Sequence, residues 1–220
     1  IKKGDTIGVT ATSSGIANEL KQKRIISAKE ALEDKGYNVM LTDNVFKTDW
    51  RGCSGDGKSR AEQFNGLIDN SNVSAIISAA GGDYLMEMLD YVDFEKLKKN
   101  PKWFQGFSDN TGLVYPIVTT CDITAVYGCH FGDFGMKPWQ KSNEYALGVL
   151  EGSTKKLESF KTFESERHEY ITGYEGYYED EKVKWINAGN EEKIEITGRL
   201  LGGCLDVIAF LLGTRYDGTE

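Results

Sequence analysis

Trp103-Phe104-Gln105-Gly106-Phe107-Ser108-Asp109-Asn110-Thr111-Gly112-Leu113-Val114-Tyr115 is the stretch whose reading decides the fold. Its apolar, aromatic start reads as a strand, and Gly112-Leu113-Val114-Tyr115 reads as the start of a helix. Between them lies a turn carrying a serine, with a glycine two residues before it. A strand-to-helix turn of this kind is how α/β hydrolytic folds push a nucleophilic hydroxyl out of the backbone. The helix that follows would aim its unpaired N–H groups and positive dipole end at the same spot, where an oxyanion would form. Helix capping by Ser108 or Asp109 is the simpler alternative, since both residue types serve as caps very often.

Working outward, strands and helices alternate. Asp5 to Ala11 reads as a strand entering the small-residue turn Thr12-Ser13-Ser14-Gly15. Leu20, Ile25, Ala28 and Leu32 are spaced for a helix over Glu19 to Lys35, stopped by Gly36. A strand over Tyr37 to Leu41, a helix over Ser59 to Asn70 and a buried-type strand over Val73 to Ala80 follow, the last running into Gly81-Gly82. Further expectations are a helix around Tyr84–Leu89, a strand at Ile123–Tyr127 and a helix over Ser142 to Glu151. The pattern implies an α/β fold with a mostly parallel sheet flanked by helices. Sites in such sheets lie beyond the carboxyl ends of the strands. The turns after Ala11, Ala80 and Phe107 all fall on that edge, so two small-residue turns and Ser108 can converge there.

After about residue 140 the pattern changes. The expected organisation is an α/β domain over 1–140, a connecting segment over 141–165, and over 166–220 the beginning of a second, smaller domain that does not finish. The acidic run Glu175 to Glu181 reads as a solvated face, and an apolar helix is expected over Leu205 to Leu212. Tyr177, Tyr178 and Trp185 are expected to pack the second domain's core, with lining of its substrate side as the alternative.

Composition excludes several classes of function. The net charge is −8 with no long basic block, which argues against nucleic acid or an anionic membrane as partner. No apolar run approaches the ~20 residues of a membrane span, and no export signal is visible, so a cytoplasmic location is expected. The 40% hydrophobic content is enough for a sizeable core. Four cysteines are scattered without a Cys-x-x-Cys pair, consistent with free thiols. Cys129-His130 are neighbours, but adjacent strand residues point to opposite faces, so a structural role is expected for His130 and His168, and no metal site is seen.

Gly52-Cys53-Ser54-Gly55-Asp56-Gly57-Lys58-Ser59 matches the phosphate-loop pattern G-x-x-x-x-G-K-S/T letter for letter. A working loop of this type needs a buried strand directly before the first glycine. Here Phe46-Lys47-Thr48-Asp49-Trp50-Arg51 precede it, charged and turn-like, so a surface loop with Ser59 capping the helix is favoured over a nucleotide hydrolase using Lys58.

Four segments taken together carry a resemblance: Gly4-Asp5-Thr6-Ile7-Gly8-Val9, Ala80-Gly81-Gly82, Asn100 through Thr111, and Gly198-Arg199-Leu200-Leu201-Gly202-Gly203. In this order they resemble the LD-carboxypeptidase family of serine peptidases, which includes murein tetrapeptide carboxypeptidases and microcin C immunity peptidases. The resemblance implies a flavodoxin- or class I amidotransferase-like first domain and a Ser-His-Glu triad with Ser108 as nucleophile. It implies an oxyanion hole from the backbone N–H groups of Gly81 and Asp109, with Gly82 keeping that turn open. It also implies no metal or organic cofactor, a homodimer, and cleavage of an amide beside a free carboxylate in a small peptide, a muropeptide or a microcin-like peptide-nucleotide.

Departures from the family pattern accompany it. The family's Glu and His lie in the C-terminal domain, and neither His130 nor His168 falls in its histidine motif. Glu220 sits too early to be the triad acid. The triad partners are therefore expected beyond residue 220, with residues 1–220 inactive on their own. Asp83-Tyr84 stand where microcin-immunity relatives carry polar amides, which leaves the substrate open. A non-catalytic peptidoglycan-binding module is the remaining alternative.

Overall fold

Val73–Ser78 (β3) lies at the centre of a five-stranded sheet, with residues buried on both faces. Its neighbours are Thr6–Thr10 (β1) on one side and Trp103–Gly106 (β4) on the other, with Asn38–Leu41 (β2) and Val126–Tyr127 (β5) at the edges. The order β2-β1-β3-β4-β5 is parallel throughout. This is the flavodoxin-like arrangement, in which the connections reverse direction between β1 and β3. The computed structural model describes residues 1–166, 168–186 and 194–219, so Glu220 lies outside the described residues.

Alternation along the strands sends successive side chains to two cores. Ile76 faces a cluster built with Gly57–Asp69 (α2), Thr111–Thr119 (α4) and Leu205–Leu211 (α6). Ile77, Ile7 and Val9 face the other, built with Glu19–Asp34 (α1), Lys141–Glu151 (α5) and the tight turn Phe131–Gly135. A short helix, Phe94–Lys99 (α3), precedes β4 and is capped by Asp93, whose carboxylate accepts from the Lys96 N–H at 2.8 Å. Thr162–Phe163 (β6) pairs antiparallel with Glu181–Lys182 (β7).

Most expected elements are present within a residue or two, with four differences. The residues 93–99 form a helix that the apolar spacing did not announce. The last sheet strand shrinks to two residues because Asp122 takes φ 57° and Ile123 donates its N–H to Ile117 O at 3.2 Å. Asp56, not Ser59, caps α2, its carboxylate accepting from the Ser59 N–H at 2.7 Å. Trp185 and Tyr178 are exposed rather than core.

Phe64 and Phe104, both fully buried, meet edge to face at 5.6 Å and couple α2 to the sheet. Phe64→Ala is expected to lower unfolding free energy by about 3–5 kcal/mol in urea titration. A loss under about 1 kcal/mol would show that α2 is not anchored through this ring pair.

Candidate functional site

The chain leaves β4 at Gly106, passes through Phe107 in extended conformation and reaches Ser108 at φ 59°. A non-glycine residue in the left-handed region costs on the order of 1–3 kcal/mol and persists only where its surroundings enforce it. Here the Ser108 N–H donates to the Tyr127 hydroxyl at 3.1 Å, and the Ser108 carbonyl accepts from Thr111 Oγ1 at 2.7 Å. One helical turn, Ser108–Asn110, then leads into α4. Neither Ser108 nor Asp109 caps these helices with its side chain, so the simple capping alternative is set aside.

The Asp109 carboxylate instead turns back under the glycine turn. It accepts from the Tyr84 N–H and the Leu85 N–H, each at 3.0 Å. Burial raises this carboxyl above its ordinary value, and hydrogen bonds from Ser13, Leu85 and Tyr84 oppose the shift. Its charge is thus directed away from Ser108's side of the turn and into a set of N–H donors.

Gly81 and Gly82 close the site from β3. A methyl group on Gly81 would stand 3.3 Å from Ser108 Cβ and 3.4 Å from Ser108 Oγ. Gly82 takes φ +150°, and a methyl there would overlap Ser13 Oγ and sit 2.5 Å from Ser14 Oγ and 2.8 Å from Ser14 N. Only glycine fits, for both backbone and steric reasons. The Gly81 carbonyl accepts from Ser14 N–H at 3.1 Å. Among the described residues the N–H groups of Gly81 and Gly82 donate no hydrogen bond, leaving them available to a ligand.

Asn110 is the residue that sequence reasoning passed over. Fully buried, its amide accepts from Thr12 Oγ1 at 2.6 Å and donates to Ala80 O at 3.0 Å and Phe107 O at 3.2 Å. No periodicity signals such a role; a polar amide two residues after the turn serine is the one clue. His130 stacks on the Phe107 ring at 3.9 Å, with Nε2 3.0 Å from Phe107 O. Cys129 is separate from it: its sulfur lies 3.8 Å from Ser142 O, and burial pushes its thiol up to about 12. The two therefore form no thiolate–imidazole pair.

A cavity of about 710 Å³ opens over Ser108, Gly81, Gly82 and His130. Lys21 and Arg24 of α1 form one wall, and Phe163, Glu164 and Tyr177 belong to a strap, residues 160–166 and 168–179, that forms another. Arg24 is buried and fastens the strap, donating to Glu175 O at 2.7 Å and Gly173 O at 3.2 Å. Gln140 fastens it again, exchanging hydrogen bonds with the Tyr177 backbone at 2.8 and 2.9 Å. Tyr177 thus lines the cavity instead of packing a core, and desolvation, with Asp133 nearby, raises its hydroxyl.

The phosphate-loop match has no phosphate site. Residues 46–52 form no strand, and Lys58 is exposed. The start of α2 is pressed against the Glu87 carbonyl, where a methyl on Gly57 would overlap it, and its first turn is occupied by the Asp56 carboxylate. Among the described residues no group of three or more His, Cys, Asp or Glu side chains is arranged to hold a metal, and no helix is long and apolar enough to cross a membrane.

Comparison with known proteins gives one consistent result. The LD-carboxypeptidase N-terminal domain matches residues 7–128. YocD of Bacillus subtilis (strain 168), named as a carboxypeptidase, is 31% identical over 98% of the chain and 65% of its own length. The Microcin C7 self-immunity protein MccF of Escherichia coli is 27% identical over 97% of the chain and 62% of its own. The structure of MccF with aspartyl sulfamoyl adenosine superposes with a TM-score of 0.80 at 26% identity, covering 99% of the chain and 65% of that protein. The chain thus spans a little under two thirds of the length of these relatives. With the family domain matching more than half of its residues, the chain belongs to the LD-carboxypeptidase family of peptidases.

Proposed function

We propose that this protein is a serine carboxypeptidase that cleaves an amide beside a free carboxylate, with Ser108 as nucleophile. The observation that carries the proposal is Ser108 at φ 59° on the cavity wall, against the backbone of Gly81. Ser108 Oγ attacks the scissile carbonyl carbon. The N–H groups of Gly81 and Asp109 receive the developing oxyanion, and Gly82 keeps the turn open around it. Collapse of the tetrahedral intermediate expels the amine and leaves an acyl-enzyme, which water hydrolyses to free Ser108. On this reading the base that takes the Ser108 proton, and the carboxylate that orients it, come from outside residues 1–220.

Two substrate classes suit the site, a muropeptide and an aminoacyl or peptidyl nucleotide. The second is favoured by the ligand that MccF holds, aspartyl sulfamoyl adenosine, in a protein whose fold covers nearly all of this chain. The cavity has room for a ligand of that size. The same reading gives residues 166–220 to a second domain and has the enzyme act as a cytoplasmic homodimer without a cofactor. Sedimentation velocity on the full-length protein should return the mass of two chains; a single-chain mass removes the dimer.

In the full-length protein a fluorophosphonate probe should label Ser108, and Ser108→Ala should abolish both labelling and peptide release. A folded wild-type protein that takes no label and turns over neither a muropeptide nor an aminoacyl sulfamoyl nucleoside would overturn the proposal and favour a binding module. Gly82→Ala, whose methyl would displace the turn and with it the Gly81 donor, should reduce kcat by about 10²–10³, as losing one oxyanion donor does, with a smaller change in KM. Unchanged kcat would move the oxyanion site away from this turn.

A further inference from the structure

Arg60 belongs to the segment that follows the phosphate-loop match, and it explains what that segment does. Its side chain is fully buried. Burying a guanidinium is costly unless its donors are matched, and here they are. Nε donates to Gly55 O at 3.0 Å, one terminal nitrogen to Thr12 O at 2.6 Å and Tyr84 O at 2.9 Å, and the other to Glu87 Oε2 at 2.9 Å. Glu87 is held in turn by Arg51 at 2.8 Å, and the Arg51 guanidinium lies over the Tyr84 ring at 4.8 Å.

Three of these acceptors lie on separate loops, Thr12 in the turn after β1, Gly55 in the Gly52–Gly57 loop and Tyr84 in the turn that begins at Gly81 and Gly82, and the fourth, Glu87, lies in the short helix Leu85–Tyr91 that follows. Tyr84 is fixed on both sides. Its N–H is shared by Ser13 Oγ at 2.9 Å and Asp109 Oδ2 at 3.0 Å, while its carbonyl is taken by Arg60. At the other end of the turn the Gly81 carbonyl is held by the Ser14 N–H, on the loop whose Thr12 carbonyl Arg60 also holds. Ser54 adds a further tie, donating its N–H to Ser13 O at 2.9 Å and its hydroxyl to Ala11 O at 2.7 Å.

We infer that Arg60 is a positioning residue for the oxyanion-binding turn, fixing Gly81–Tyr84 against the turn after β1. This rests on the proposed serine peptidase activity. Arg60 lies behind the turn and touches no substrate; its work is done before substrate arrives. Donors contribute to catalysis through their fixed aim, and a displacement of about 1 Å at the reacting centre can cost on the order of 100-fold in rate. A lysine carries the same charge but cannot span four acceptors on three loops and a helix.

The test is Arg60→Lys in the full-length protein, with steady-state hydrolysis, fluorophosphonate labelling rate and thermal unfolding measured together. Folded Arg60→Lys should lose on the order of 100-fold in kcat and in labelling rate, with KM within about threefold of wild type. Glu87→Gln, which leaves Arg60 in place without its ionic partner, should show a smaller loss of the same kind. If Arg60→Lys does not fold, Glu87→Gln decides. A lowered unfolding midpoint with unchanged kcat and labelling in the folded variant overturns the inference and leaves Arg60 a stability residue. Failure of the wild-type protein to label or hydrolyse overturns the proposed activity and this inference with it; an active wild type matched by its variants overturns this inference alone.

Discussion

The ends of three parallel strands are drawn together by one buried amide, that of Asn110. Thr12 follows β1, Ala80 follows β3 and Phe107 follows β4, and each gives a hydrogen-bonding group to the Asn110 side chain. Without a partner, each such group buried away from water would cost about 1–3 kcal/mol. The amide thus sets the spacing of the loops before any ligand is considered. It also shapes the strand before it, since a methyl on Gly106 would stand 2.8 Å from Asn110 Cγ. Gly106 must be small because Asn110 is where it is, and Ser108 lies between them in its left-handed conformation.

Topology explains why these loops enclose space. Connections leave β1 and β3 toward opposite faces of the sheet, so the loops after them diverge and a crevice opens between them. The turn Thr12–Gly15 and the Gly81–Gly82 turn border that crevice, and the loop after β4 delivers Ser108 to its side. Two acidic groups near this point are held by N–H donors: Asp109 accepts from Tyr84 and Leu85, and Asp133 accepts the His130 N–H at 2.9 Å.

Much of the arrangement was legible in the sequence because it depends on local signals. Alternating apolar runs, Gly36 after α1 and the Gly106-x-Ser108 turn each act within a few residues, and they located the sheet, its helices and the convergence of Ser108 with Gly81 and Gly82. What was not legible depends on contacts between distant segments. The ties of Asn110 to Thr12 and Ala80 span 98 and 30 residues, and Arg60 reaches 48 residues back to Thr12. No periodicity reports such ties. The Gly52–Ser59 match is the reverse case, rightly set aside: its letters are local, but a phosphate site needs a strand before it and open space at its helix, and Glu87 fills that space. For Tyr177 the sequence leaves core packing and cavity lining both open, with core packing favoured because aromatic residues usually pack there; Gln140, 37 residues away, holds its backbone at the cavity edge.

The strap is attached in a way that separates its position from its composition. Arg24 binds the carbonyls of Gly173 and Glu175, Gln140 binds the backbone of Tyr177, and the Lys137 N–H binds Tyr174 O at 2.9 Å. All of these partners on the strap are main-chain atoms, present whatever side chains the segment carries. Lining side chains such as Phe163 and Glu164 can therefore change while these main-chain ties stay intact, whereas Tyr170 and Tyr174, stacked on Arg24 and Lys137, and the close-packed Gly173 and Gly176 cannot. Within one architecture that is a route by which related proteins diverge in what they accept, and it makes the strap the natural place to graft a new preference onto this scaffold.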